Sequence, residues 1–263
     1  MLFTKWLVEI AFVISHPVDD RMRNAGISTT TRMLAFSLAL LVASDLRADC
    51  VVLLHGLTRT SASMETLADA FSEAGYAVAN IDYPSTQFPI ETLAPAAIEK
   101  GIAACPPDST VHFVTHSLGG ILVRHYLAHN EFSRLGKVVM IAPPNQGSGV
   151  VAAMHDVPGF EWYNGPAGMQ LGIDDNSIPL QLPAVTYPVG VIAGTRTFNV
   201  ILSQFLANPD DGKVSVENTK VAGMTDFIEV PYSHPFIMKR KAVVELTLQF
   251  ISSGSFKLTE NSQ

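Results

Sequence analysis

The segment Val111-His112-Phe113-Val114-Thr115-His116-Ser117-Leu118-Gly119-Gly120 runs from a β-branched apolar stretch straight into a helical pattern, with a serine at the junction. A hydroxyl placed there faces the free N–H groups of a first helical turn, whose partial positive charge favours an alkoxide or an oxyanion. Serines also cap helices for that reason, so Ser117 alone does not establish chemistry. To act as a nucleophile it needs a base that removes its proton and an acid that holds the base in one tautomer. Two later segments offer such groups: Asn208-Pro209-Asp210-Asp211-Gly212-Lys213-Val214 and Val230-Pro231-Tyr232-Ser233-His234-Pro235-Phe236. Taken singly, the first reads as an ordinary turn and His234 as a loop residue. A fourth segment, Val51 to Leu54 followed by His55-Gly56-Leu57, is an apolar run ending in His-Gly.

The remaining histidines carry weaker signals. His112 alternates on a strand and His116 flanks the serine, whereas His125 and His129 lie four apart on one helix. That last spacing suits a metal, but no acidic or Cys ligand stands nearby in sequence. No metal site and no cofactor are expected.

The elements that must position these groups follow from periodicity. Short β-branched runs at Val51 to Leu54, Ala77 to Ile81, Val111 to Thr115, Val138 to Ile141, Val189 to Ala193 and Phe227 to Val230 alternate with helical patterns. Such alternation predicts an α/β fold with a mainly parallel sheet and crossover helices. Helices are expected from an N-cap at Ser63 to a C′ glycine at Gly75, from Glu91 or Pro95 to Ala104, from Ser117 toward Asn130, and from about Lys239 to Phe250. Serine, aspartate pair, histidine and His-Gly each follow a predicted strand, which brings all four to the carboxyl edge of one sheet. Residues 143–188 break the rhythm: they are rich in Gly and Pro and carry Met154, Phe160, Trp162, Tyr163, Met169 and Leu171. A stretch of that length is either a lid-like cover over an apolar site or a packed insertion with short helices of its own.

With these residues in this order the chain resembles the α/β-hydrolase family, bacterial lipase and esterase type, from about Val51 to Ile251. The family's motif at the serine is G-x-S-x-G, on a tight turn that pushes the hydroxyl out of the sheet. Gly119 fits it; Thr115, β-branched where a small residue is usual, departs from it. The resemblance implies a three-layer sandwich of about six core strands. It further implies Ser117 as nucleophile, His234 as base, and the backbone N–H groups of Leu57 and Leu118 as oxyanion donors. The acid adjoining the glycine is the one used in the bacterial lipase version of this loop, which favours Asp211 over Asp210. His55 is then a positioning residue. Ala142-Pro143-Pro144-Asn145-Gln146-Gly147-Ser148 is similar to the segment after the next strand in bacterial lipases.

Within that fold Cys50 and Cys105 each stand at the amino-terminal end of a core strand, and the two strands are neighbours. A Cys50–Cys105 disulfide is therefore expected, with two reduced buried thiols as the alternative. A disulfide agrees with export. So does the N-terminus: Arg21, Arg23 and Arg32 precede the apolar run Met33 to Ala43, with a small residue at Ala43 or Ala48 for cleavage. Residues 1–48 are accordingly read as a leader, an uncleaved anchor being the alternative, and Met22 or Met33 as other possible starts. Residues 49–263 are read as a single hydrolase domain.

Composition narrows the partners. The 263 residues carry a net charge of −7, and no basic run exceeds Lys239-Arg240-Lys241, so nucleic acid is not expected as a partner. The positive mean hydropathy of +0.25 comes without any stretch of about 18 uninterrupted apolar residues, which excludes a polytopic membrane protein. The expected function is hydrolysis of acyl or lipid esters through an acyl-enzyme, with transient lipid-surface contact. An acyltransferase or thioesterase of the same fold and an inert hydrolase-fold binding protein are the alternatives, the last because Thr115 would crowd the turn.

Overall fold

The computed structural model describes residues 48–257; apart from its final residue, the leader read over residues 1–48 lies outside them. Six strands form one sheet: β1 (Cys50–Leu54), β2 (Ala77–Ile81), β3 (Val111–His116), β4 (Leu135–Ile141), β5 (Val189–Gly194) and β6 (Asp226–Val230). Their order is β2-β1-β3-β4-β5-β6, and every pairing is parallel. All six expected runs are strands, and the sheet is wholly rather than mainly parallel. The helices among the described residues are α1 (Glu65–Glu73), α2 (Ile90–Ala104), α3 (Leu118–His129), α4 (Gly149–Met154), α5 (Phe160–Met169), α6 (Ile178–Gln181), α7 (Val200–Ser203), α8 (Val216–Thr219) and α9 (Lys241–Ser253).

Strand side chains alternate between two faces, and both faces are covered, as parallel sheets require. Val52, Leu54, Phe113, Met140 and Val191 join Leu93, Ile98, Ile121 and Leu122 of α2 and α3 in one buried cluster. Val51, Leu53, Val114, Ile141 and Ile192 join Leu67, Phe71, Val243 and Phe250 of α1 and α9 in the other. The result is three layers, with the strand ends free to carry chemistry.

Several helix starts differ from expectation. Ser63 is no N-cap: Ser61–Met64 form a 3-10 turn ahead of α1, and the Ser63 hydroxyl donates to the Thr60 carbonyl. Another 3-10 turn at Ile237–Lys239 delays α9 to Lys241. The start of α2 is fixed from afar, because the Ile90 N–H donates to Gln170 Oε1 at 2.7 Å and Gln170 Nε2 donates to Glu91.

The insertion between β4 and β5 contains α4, α5 and α6, packed through Val150, Val151, Ala167 and Leu171. Its far end is tied down by the buried Arg124 of α3, which donates to the carbonyls of Asn145, Leu182 and Pro183. Gly165, in the left-handed region at φ 67°, lies so close to the segment after β2 that a Cβ there would come within 1.8 Å of the Thr86 carbonyl. At the opposite edge of the sheet Cys50 and Cys105 form a disulfide, with Cys50 heading β1 and Cys105 closing α2.

Candidate active site

Ser117 occupies the turn between β3 and α3 with φ 52° and ψ −120°, a backbone conformation that L-residues avoid at a cost of about 1–3 kcal/mol. The turn is held by the Ser117 N–H donating to Ile141 O at 2.9 Å and by the Gly120 N–H donating to Ser117 O at 3.0 Å. Gly119 is required by contact: a Cβ there would lie 2.7 Å from the Leu54 carbonyl oxygen. Thr115, two places before the serine, is fully buried, and its hydroxyl donates to Val139 O at 3.3 Å. Room for it comes from Gly120, where a Cβ would stand 3.3 Å from Thr115 Oγ1. The bulk expected to crowd the turn is thus accommodated by the second glycine of Leu-Gly-Gly.

His234, in the loop after β6, places Nε2 3.1 Å from Ser117 Oγ and Nδ1 2.7 Å from Asp211 Oδ2. The carboxylate is buried, and its other oxygen accepts the N–H groups of Lys213 at 3.0 Å and Val214 at 2.8 Å. The neighbouring Asp210 points elsewhere: it accepts the Gly212 N–H at 2.7 Å and the Ser203 hydroxyl at 2.5 Å, which organises the loop. With the imidazole between them, Ser117, His234 and Asp211 form one continuous hydrogen-bonded chain across three loops.

Leu57 lies three residues beyond the end of β1, and Leu118 opens α3, where first-turn N–H groups have no intrahelical acceptor. The loop carrying Leu57 is fastened to the segment after β2. Tyr83 donates its hydroxyl to His55 O at 2.5 Å and its N–H to His55 Nε2 at 3.3 Å, and its ring stacks on the imidazole at 4.0 Å. The Thr58 N–H donates to Ser85 Oγ at 3.1 Å. Because Nε2 of His55 accepts, Nδ1 carries the proton and donates to Gly56 O at 2.8 Å. Burial pushes the His55 pKa down, and both ring nitrogens are engaged within the loop, by the Gly56 carbonyl and the Tyr83 N–H.

His116 is buried beside the serine and donates from Nε2 to the His234 carbonyl at 3.1 Å, while its Nδ1 has no partner among the described residues. Burial, then the nearby His234 and Arg59, hold its pKa well below the usual imidazole range. The His125 and His129 rings lie tilted against each other on α3, and no group of metal-ligating residues occurs among the described residues. Leu57, Ser117 and His234 open onto one cavity with an apolar wall of Val150, Val151, Phe160, Leu171 and Val214. Sequence reasoning missed Tyr83, and it missed Arg59 and Lys213, which also line the cavity; only their nearness to His-Gly and Asp-Gly could have flagged the last two.

Residues 51–231 match the profile described as the alpha/beta hydrolase family. In three dimensions the chain is similar to the mature Bacillus licheniformis lipase BlEst2, with a TM-score of 0.60 and 19% identity over 80% of this chain and 93% of that one. It is also similar to one of the metagenome-derived lipolytic enzymes LipS and LipT, at TM-score 0.56 and 19% identity over 78% and 94% of the two chains. Phospholipase PlaB from Legionella pneumophila gives 0.55 and 17%, over 79% of this chain but only 57% of its own. At such identities the likeness establishes the fold. No curated protein matches the chain in sequence. Since the family match spans more than half of the chain and lies on a six-stranded parallel sheet, this chain belongs to the alpha/beta hydrolase family.

Proposed function

We propose that the protein is a serine hydrolase that cleaves carboxylic esters. The observation that carries this reading is the pair of contacts on one imidazole, 3.1 Å to Ser117 Oγ and 2.7 Å to Asp211 Oδ2. In the first half-reaction His234 takes the Ser117 proton as Oγ bonds to the ester carbonyl carbon. The oxyanion is held by the N–H groups of Leu57 and Leu118, and Asp211 stabilises the imidazolium. The bond from carbon to the alcohol oxygen then breaks, and His234 hands its proton to the departing alkoxide. Water reverses the sequence, giving the free acid and restoring the serine.

The apolar cavity wall supports an acyl substrate. The exposed side chains of Trp162, Phe198, Val200 and Ile201 support transient contact with a lipid surface. The disulfide is consistent with export of a single hydrolase domain at residues 49–263. Accommodation of Thr115 by Gly120 removes the reason for expecting an inert site.

The test is labelling with a fluorophosphonate, together with turnover of p-nitrophenyl esters of increasing acyl length. Wild type is expected to carry one adduct on Ser117 and to hydrolyse the esters. Ser117→Ala and His234→Ala should lower kcat by a factor on the order of 10⁴ or more. An unlabelled wild type without activity at any length refutes the proposal. Added alcohol acceptors separate hydrolysis from acyl transfer by the products formed.

A further inference from the structure

The cavity at Ser117 is charged against the trend of the molecule. The chain carries −7 overall, yet among the described residues the fixed charges lining this cavity are Arg59 and Lys213, with no carboxylate. Arg59 comes from the loop that carries Leu57, and Lys213 from the loop that carries Asp211. Among the described residues Arg59 makes neither an ion pair nor a hydrogen bond, and its charge helps to hold down the pKa of the nearby His116. A half-exposed guanidinium beside a nucleophile, with no carboxylate drawn onto it, is free to pair with an anion carried by a ligand.

Arg59 also borders a second, more open groove, which shares Thr58 and Tyr163 with the cavity and continues along Thr60 and the stretch Asp82 to Gln87. The two compartments differ in character. The inner one is walled by Val150, Val151, Phe160 and Leu171, whereas the outer one presents hydroxyls and the Gln87 amide. Its one carboxylate, Asp82, accepts the Ser61 N–H at 2.9 Å and lies 3.6 Å from His55 Nε2. An ester bound with its carbonyl at Ser117 and its acyl chain in the inner compartment leaves its alcohol portion at Arg59.

We propose that the preferred substrates are acyl esters whose alcohol portion bears an anionic group, with Arg59 as the residue that recognises it. This proposal rests on the ester-hydrolase reading above. A guanidinium binds phosphate or carboxylate oxygens through paired N–H donors, and here it does so while the neighbouring hydroxyls bind the rest of a polyol. Arg59 is a specificity residue and takes no part in the bond-breaking steps.

The experiment compares kcat/KM for hexanoyl glycerol phosphate and for monohexanoyl glycerol, which share acyl chain and ester bond and differ in the charge of the alcohol. Wild type is expected to favour the phosphate ester by about tenfold or more, the factor due to one charge-assisted hydrogen-bonded contact. Arg59→Gln should bring the ratio close to unity, and Arg59→Lys should retain part of it. Raising the salt concentration should lower the wild-type ratio. A wild-type ratio at or below one, or a ratio unmoved in Arg59→Gln, overturns the proposal, as does turnover of p-nitrophenyl esters with neither glycerol ester accepted. Inertness toward every ester, p-nitrophenyl esters included, instead removes the hydrolase reading, and this inference falls with it.

Discussion

Asp211 holds His234 twice: its carboxylate meets Nδ1 at 2.7 Å, and its backbone carbonyl accepts the His234 N–H at 3.0 Å. The loop after β5 and the loop after β6 are therefore joined at the backbone as well as through the side chains. That double contact fixes the imidazole plane before any substrate arrives, which is the condition for a proton to move along a short, aligned path.

The two adjacent aspartates should separate on substitution. Asp211→Asn keeps an oxygen for the Lys213 and Val214 N–H groups but offers His234 no anion, so kcat should fall by a factor on the order of 10⁴ with the fold intact. Asp210→Asn should cost about 1 kcal/mol of stability through the weakened Gly212 and Ser203 contacts, and less than tenfold in kcat. Ester turnover and thermal melts of both variants decide it; a Asp210→Asn enzyme as inactive as Asp211→Asn would make Asp210 the acid.

Thr115 and Gly120 should behave as a coupled pair. Gly120→Ala puts a methyl within 3.3 Å of Thr115 Oγ1 and of Pro143 Cβ, and overpacking of this kind costs about 1–3 kcal/mol. Combined with Thr115→Ala, the penalty should shrink, giving a coupling of about 1 kcal/mol in a double-mutant cycle by denaturant unfolding. Additive effects would show that the threonine is not what occupies the space.

Removing the disulfide should lower stability without altering the chemistry. Cys50 and Cys105 are separated by 55 residues, and closing a loop of that length contributes about 4 kcal/mol in the chain-entropy account. The Cys50→Ala/Cys105→Ala protein should melt well below wild type, and reductant should have the same effect, with kcat/KM unchanged below the transition. Equal melting temperatures for oxidised and reduced wild type would contradict this.

Acid should destabilise the fold through its buried histidines. Burial lowers the pKa of His55, His112 and His116, whereas in the unfolded chain an imidazole titrates near about 6.5. Below that pH the unfolded state binds more protons than the folded one, so stability falls as pH drops from about 7 toward 5 and recovers on the way back. His116→Gln, whose amide can still donate to the His234 carbonyl, should flatten the slope of melting temperature over this range. A slope equal to that of wild type would assign the effect to other groups.

Much of this architecture was legible because parallel strands buried on both faces must be continuous apolar runs, and each such run from Val51 to Val230 is a strand. The disulfide was legible because the fold makes the strands at Val51 and Val111 neighbours, though that placement came from the family resemblance. Local sequence misled where a distant residue decides the outcome. α2 begins at Ile90 because Gln170 accepts its N–H, a partner 80 positions away. β4 begins at Leu135, before the apolar run, because Leu135 pairs with Val111 and, across the register irregularity that follows, the Lys137 N–H donates to His112 Nδ1 at 2.9 Å. The departure at Thr115 looked like a defect because the compensating glycine lies five residues on, across a turn whose geometry periodicity does not describe. The short α7 and α8 escaped notice because four residues contain too little of a helical period to register.

One contact made early in the fold carries a mechanical implication. Gly165 of α5, the helix that gives Phe160 and Asn164 to the cavity wall, abuts Thr86, and the same strip of chain, through Tyr83 and Ser85, grips the segment bearing Leu57. The insertion beside the cavity and the loop of Leu57, the proposed oxyanion donor, thus share a single abutment. In the proposed reaction the two would answer to one mechanical variable, so a bulkier residue at Gly165 would be felt at the reacting carbonyl.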